Sequence, residues 1–241
     1  MMYRMTARAV AARIDELVAE YALDDAARRG LEQLLAALGR PEAPTSVHDA
    51  GRGVDVHLAD SLAGLRLPEV RGAARIADLG TGAGLPGLPL ALALPAARLA
   101  LLESAGRKCR FVASTASELG LSNVEVIHAR AEEWRDGHGA NEVVCARALA
   151  PLPVLCEYAA PLLADGGALV AWKGLVGDEE AADGLAAASR MGLEADRVET
   201  VPPFPGAERR TLHVYRKIAP TPPDFPRRPG IATKRPLSAR T

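Results

Sequence analysis

The residues best placed to do chemistry sit between Asp78 and Pro89, read D-L-G-T-G-A-G-L-P-G-L-P. An apolar run (Ile76, Ala77, Leu79) stops at Gly80, Gly82, Gly84 and Gly87, and a second apolar run, Leu88 to Leu94, follows. That order predicts strand, glycine-rich turn, helix. Glycine accepts φ > 0 and lets a ligand lie against the main chain. The helix start offers free N–H groups and a partial positive charge. Such a turn at the carboxyl end of the first strand of an α/β sheet is a nucleotide-like cofactor site. Glycines serving packing alone are the competing reading, and four in one turn argue against it.

Gly82-x-Gly84-x-x-Gly87 matches a dinucleotide fingerprint, which alone is a weak signal. Two details point away from a pyrophosphate. Asp78 would repel one, but could accept hydrogen bonds from a ligand's ammonium group. Pro86 and Pro89 remove N–H donors around the helix start. Glu103 ends the next apolar run, about 20 residues on, where an acid can bind ribose hydroxyls. An acidic strand end, a G-x-G turn and a second-strand acid together favour S-adenosylmethionine over NAD.

Around this turn the chain alternates regularly. Strands are predicted near 75–80, 98–103, 123–128, 142–146, 167–172, 194–200 and 210–217, with helices over 86–94, 105–119, 151–163 and 178–191. Alternation of this kind gives a mostly parallel sheet with helices on both faces. The last two strands are joined only by Val201-Pro-Pro-Phe-Pro-Gly206, too short for a crossover, so they form an antiparallel hairpin. Before the sheet, residues 5–38 read as two helices, the second capped by Asp24 or Asp25 and ended by Gly39. Residues 39–53 read as a loop and 54–66 as a third helix with His57, Asp60, Ser61 and Gly64 on one flank. The expected division is a helical lead-in (1–70), a cofactor-binding domain (71–217) and a flexible proline-rich tail (218–241).

Composition narrows the class. The chain is 49% hydrophobic and 24% charged, enough to bury a real core, with aromatics at only 4%. No run is long enough to cross a membrane, and Arg4, Arg8 and Arg13 precede no apolar signal core. Cys109, Cys145 and Cys156 are widely spaced and lack C-x-x-C, so reduced buried thiols in a cytoplasmic protein are expected, without disulfide or metal. From Lys217 onward, Lys217, Arg227, Arg228, Lys234, Arg235 and Arg240 stand against Asp224, a tail of +5 on a body of −6. A basic tail on an acidic body suits a polyanion partner; a solvated tail that binds nothing suits the composition equally.

Several motifs together resemble one family, the RsmG (GidB) methyltransferases. They are the turn at 78–89, L-L-E-S-A-G-R-K-C-R-F (101–111), R-A-E-E-W (130–134), V-V-C-A-R-A-L-A-P-L (143–152), W-K-G (172–174), H-L-A-D-S-L (57–62) and the ending F-P-R-R-P-G-I-A-T-K-R-P-L (225–237). They run in the family's order from about Thr45 to the end. Of the family's usual segment before Thr-Ser-Val, only Thr45-Ser46-Val47 is retained. The resemblance implies a class I, Rossmann-like, seven-stranded methyltransferase fold with S-adenosylmethionine as cofactor. It implies 16S ribosomal RNA, free or in the small subunit or its precursor, as partner, and N7 of one guanine as the target. It implies cofactor contacts at Gly80 and Leu85, close approach at Gly82, and an adenine edge at Ala131 and Glu132, by backbone or side chain.

Guanine N7 is an in-plane lone pair carrying no proton, so its methylation needs alignment and no general base. A chain without a nucleophile or acid–base constellation fits that reaction. Arg147 ends the fourth strand, where a guanidinium could hold the cofactor carboxylate, an RNA phosphate or a base. An ion pair with Asp78 or Glu132 is the structural alternative. Lys173 could bind phosphate or be a plain surface lysine. Arg107, Lys108 and Arg110 open a helix against its dipole preference, which favours RNA contact. Arg209, Arg210 and the tail could extend that path. His57, Asp60 and Ser61 face either the cleft or solvent, and Trp172 suits a core better than a stacking platform. An NAD-dependent oxidoreductase and a non-catalytic RNA-binding assembly factor are the rival functions.

Overall fold

The computed structural model describes residues 5–239; Arg4 and Arg240, counted above, lie outside the described residues. Two helices open it, α1 (Ala7–Tyr21) and α2 (Asp25–Leu38). Asp24 caps α2, its carboxylate accepting from the Ala27 amide at 2.7 Å. Leu31, Leu34, Leu35 and Leu38 are buried along one stripe. A one-turn helix, α3 (Ala50–Gly53), then closes what the sequence presented as loop.

The expected single helix over 54–66 is instead broken three ways. Val54–Ala59 is a widened π-type turn, α4 (Asp60–Leu62) is a single α turn, and Ala63–Arg66 tightens to a 3₁₀ turn. The Ser61 hydroxyl donates back to the carbonyl of His57, the kind of contact that bends helices. α5 (Pro68–Gly72) leads into the sheet.

The remaining elements are β1 (Arg75–Leu79), α6 (Gly87–Ala93), β2 (Arg98–Glu103), α7 (Gly106–Glu118), β3 (Val124–His128), β4 (Asn141–Arg147), α8 (Leu152–Ala159), β5 (Leu163–Lys173), α9 (Asp178–Arg190), β6 (Leu193–Thr200), β7 (Thr211–Lys217) and α10 (Ile231–Lys234). Seven strands form one sheet in the order β3-β2-β1-β4-β5-β7-β6. β7 is antiparallel to β5 and β6, the expected hairpin. Side chains alternate between two cores. Ile76, Leu99, Val143, Val170 and Val214 pack with Leu17, Leu31 and Leu58 of the lead-in on one face, and Ala77, Val144, Leu169 and Tyr215 pack with α8 and α9 on the other. The lead-in helices therefore share the sheet's core. β1 and β4 are neighbours although β2 and β3 intervene in sequence, so the strand order reverses between them. In open parallel sheets that switch point opens the ligand crevice at the carboxyl ends.

The proline-rich tail, expected to be flexible, packs on the body. Arg227 pairs with the buried Glu157 of α8, and Ala232 and Leu237 are 1% and 6% exposed. An acid inside an apolar helix needs a cation, and the tail supplies it.

Candidate functional site

Gly80 and Gly82 turn the chain at the end of β1 with φ of 63° and 61°. The Thr81 amide donates to Leu102 O of β2 at 2.9 Å, which holds the loop over the sheet. A Cβ on Gly87 would lie 2.2 Å from Leu101 Cδ2 and 2.9 Å from Asp78 Oδ2, so any larger residue there would push Leu101, Asp78 or α6 aside. Asp78 is in place but differently employed than expected. Its Oδ2 accepts from the Thr81 hydroxyl at 2.6 Å and from the Gly87 amide at 2.9 Å. It is 1% exposed and does not line the cavity. Asp78 clamps the turn from beneath because the even positions of β1 point toward α6. Burial pushes its carboxyl up to about 6. Its Oδ1 is buried without a hydrogen-bond partner.

Above the turn lies a cavity of about 560 Å³ at the switch point, a size typical of small-molecule sites. Gly80, Gly82 and Leu85 form one wall, Arg147, Trp172 and Lys173 the strand ends, and Thr45, Ser46 and Val47 the far side. The shortened Thr-Ser-Val loop is thus part of the cavity. It is fixed by His57, whose Nε2 lies 2.9 Å from Val47 O. That carbonyl can only accept, so Nε2 carries the proton. Burial lowers the His57 pKa, which suits a neutral ring.

Arg147 does not pair with Asp78 or Glu132. Its Nη1 donates to Asp60 Oδ2 at 2.8 Å and to Val56 O at 3.0 Å. Arg210 reaches the same carboxylate, Nε lying 2.6 Å from Oδ1 and Nη2 donating to Oδ2 at 3.1 Å. Asp60, with its side chain 2% exposed, therefore holds two guanidiniums at the cavity mouth. Two cations against one anion leave a surplus positive charge there. The broken helix delivers Asp60, and the Trp172 indole N–H seals the joint by donating to Asp60 O at 2.8 Å.

The other expected residues divide. Lys173 lines the cavity, yet its ammonium is paired with Glu180 of α9 and points to Ala150 O at 3.4 Å; it is neither a free phosphate ligand nor a plain surface lysine. Glu103, at the end of β2, accepts from the Gly82 amide at 3.2 Å and the Ala105 amide at 2.9 Å. It ties the turn to the start of α7. Ala131 and Glu132 form a 3₁₀ turn after β3, and Glu132 Oε1 accepts from the Gly230 amide at 2.9 Å. Glu103, Ala131 and Glu132 continue the carboxyl edge past the cavity, on the β2–β3 side. Lys108 lies 3.7 Å from Glu103. Arg107, Arg110 and Arg209 are exposed and make no ion pair among the described residues.

Sequence reasoning missed the double pairing of Asp60 and the seat of the tail. The signal for both was the same: an acid (Asp60, Glu157) set among apolar residues that must be buried, hence must have a cation. Arg210 and Arg227 are far away in sequence, so spacing could not name them. Cys109, Cys145 and Cys156 are buried free thiols, as expected. Among the described residues no cluster suits a metal ion and no helix is long and apolar enough to cross a membrane.

Residues 26–210 match the family described as GidB, rRNA small subunit methyltransferase G. A ribosomal RNA small subunit methyltransferase G of Deinococcus radiodurans is 46% identical over 187 residues, covering 75% of this chain and 73% of the relative. Among solved structures, StiE O-MT residues 961–1257 superpose with a TM-score of 0.55 at 13% identity, covering 78% of this chain and 81% of that one. Aeropyrum pernix fibrillarin with natively bound S-adenosyl-L-methionine gives 0.51 at 20% identity, covering 66% and 72%. These structures share the Rossmann-like methyltransferase fold.

Proposed function

Because the chain belongs to the GidB family of small-subunit rRNA methyltransferases, we propose that it transfers a methyl group from S-adenosylmethionine to N7 of a guanine in 16S ribosomal RNA. The observation that carries this reading is the cavity at the switch point, where the bare main chain of Gly80–Gly82 faces the Asp60–Arg147–Arg210 cluster. Gly80, Gly82, Leu85 and Arg147 line that cavity, and Glu103 and the Ala131–Glu132 turn lie beyond it on the same edge of the sheet. Gly80 and Leu85 would bind it through main chain, Glu103 would accept from the ribose, and the Ala131–Glu132 turn would carry adenine. Both hydrogen bonds of Arg147 use Nη1, which leaves Nε and Nη2 for the cofactor carboxylate. Bound there, S-adenosylmethionine supplies an electrophilic methyl group on a sulfonium.

The chain's own part is alignment. N7 has no proton to remove, so no side chain must act as base. Arg147 is taken up by Asp60 and the cofactor carboxylate, so Arg210, whose Nη1 is not used on Asp60, is the guanidinium at the mouth that meets the RNA backbone and orients the base. Leu149 lies over Gly80, close enough that a Cβ there would meet its Cδ1 at 2.5 Å. Proximity and orientation of this kind carry several kcal/mol of a methyl-transfer barrier.

The test is to incubate unmodified 16S RNA with protein and cofactor and to map N7-methylguanine by borohydride–aniline strand scission. One guanine should be cleaved. Gly82→Asp, which forces a side chain into the φ 61° turn, and Arg147→Ala should each lower the methylation rate by about tenfold or more. No scission with the unaltered protein, or full activity in both variants, would refute the reading.

A further inference from the structure

Glu132 is 6% exposed, and its Oε1 accepts from the Gly230 amide of the tail at 2.9 Å. The tail is anchored on both sides of that contact. Upstream, Arg227 clasps the buried Glu157, with Nε donating to Oε1 at 2.9 Å and to Oε2 at 3.1 Å. The Phe225 ring lies under Arg190 and Arg227, whose Cζ atoms stand 5.4 and 5.8 Å from its centroid. Downstream, the Thr233 hydroxyl meets the Tyr158 hydroxyl at 3.1 Å, and Leu237 enters the core beneath α8 and α9. Tyr158 itself stands close enough to Glu132 to feel its charge. Gly230 has φ of 80°, so the chain can turn its N–H toward Glu132 only with a residue that tolerates the left-handed region.

The Ala131–Glu133 turn carries no side-chain cap of its own. An edge turn of three residues is held from outside: Ala131 packs on the core beside α8, and the Gly230 amide of the tail holds the Glu132 carboxylate. We infer that residues 225–237 are a strap that forms part of the cofactor site: through Gly230 and Glu132 the strap sets the position of the turn that receives the adenine. This rests on the proposed function, in which that turn is the adenine edge. With Glu132 Oε1 turned to the strap, the same proposal makes the main chain of Ala131 and Glu132 the edge that receives adenine. Glu132 is a positioning residue.

The test uses the full chain and S-adenosylhomocysteine as probe, with affinity read by calorimetry and strap docking read by trypsin cleavage after Lys234. Arg227→Gln removes the clasp on Glu157 and should speed that cleavage while weakening binding about tenfold, as for one lost hydrogen bond to a charged group. Arg227→Lys keeps the charge and should restore most of the affinity, which a general loss of structure would not do. Asp224→Asn, exposed and just outside the strap, should bind normally. If Arg227→Gln leaves cleavage slow, the triple variant Phe225→Ala, Arg227→Gln, Leu237→Ala releases the strap and is read the same way, with far-ultraviolet circular dichroism confirming the sheet. A released strap with unchanged affinity overturns the proposal. If the unaltered protein itself binds no S-adenosylhomocysteine, the function fails first and the strap's role falls with it.

Discussion

Asp78 shows how one residue type can be legible while its task is not. An acid at the end of the first strand invites a ligand's ammonium, yet strand parity turns this side chain under the loop, onto Thr81 and Gly87. Its carboxyl is raised from 3.8 to about 6, chiefly by burial. A raised carboxyl means the native state holds a proton that the unfolded chain has already lost. Its contribution to stability is therefore full below pH 4 and is lost as pH rises through about 6. Asn keeps the oxygen that Thr81 and Gly87 share and cannot ionise. Chemical denaturation from pH 4 to pH 7 should show Asp78→Asn gaining on the unaltered protein by up to about 3 kcal/mol, two pH units of differential ionisation. A constant gap across that range would mean that the carboxyl titrates normally. At the same scale, burial raises all three thiols, Cys156 up to about 12, Cys145 well above its usual value, and Cys109 with Glu103 adding to the rise. A lone-pair nucleophile needs no thiolate.

At the level of elements, periodicity revealed what it physically encodes. β1, β2, β4 and β5 are each followed by a helix and are largely buried, so their apolar runs stand out between glycines and prolines, whereas β3 is half-exposed and is followed only by 3₁₀ turns. The β6–β7 hairpin was legible because the ten residues between Thr200 and Thr211 are too few for a crossover. The segment at 54–66 was misread because Val54, Leu58, Leu62 and Leu65 keep helical spacing through a change of helix type. Spacing of apolar residues does not report the Ser61 back-bond or the buried ring of His57. The tail was misread because its docking rests on one ion pair and a few apolar contacts between distant segments. The broken helix is also where Gly64 matters. A Cβ there would stand 2.5 Å from Trp172 Cζ2, and Trp172 is fully buried with its indole N–H on Asp60 O. Gly64→Ala must therefore push the indole or the broken helix aside, overpacking that costs about 1–3 kcal/mol. Urea denaturation should show that loss. A shifted tryptophan emission should accompany it, because the indole moves relative to Asp60. Unchanged stability and emission would mean that the joint yields freely and does not set Asp60.

For the molecule as a whole, a net charge of −1 must still receive a polyanion. Local distribution decides this. The lead-in and hairpin exhaust much of their charge on each other: Glu69 of α5 takes Arg197 and Arg216, and Arg13 of α1 takes Asp55 and Pro203 O. In the tail Arg227 is similarly committed to Glu157. Among the exposed cations with no ion pair among the described residues are Arg107 and Arg110, one turn apart at the start of α7, which follows the Glu103 end of β2. A helix start is a poor place for two arginines unless an anion offsets the dipole, and an RNA phosphate does so. Each phosphate contact to a single strand contributes about 0.7 to the slope of log affinity against log salt. The double variant Arg107→Gln, Arg110→Gln should therefore flatten that slope by about 1.4 for 16S RNA while leaving S-adenosylhomocysteine affinity intact. Filter binding over a series of salt concentrations reads the slope, and calorimetry reads the cofactor. An unchanged slope would place the RNA elsewhere on the surface, whereas loss of cofactor binding would assign the two arginines to α7 and the glycine turn it adjoins.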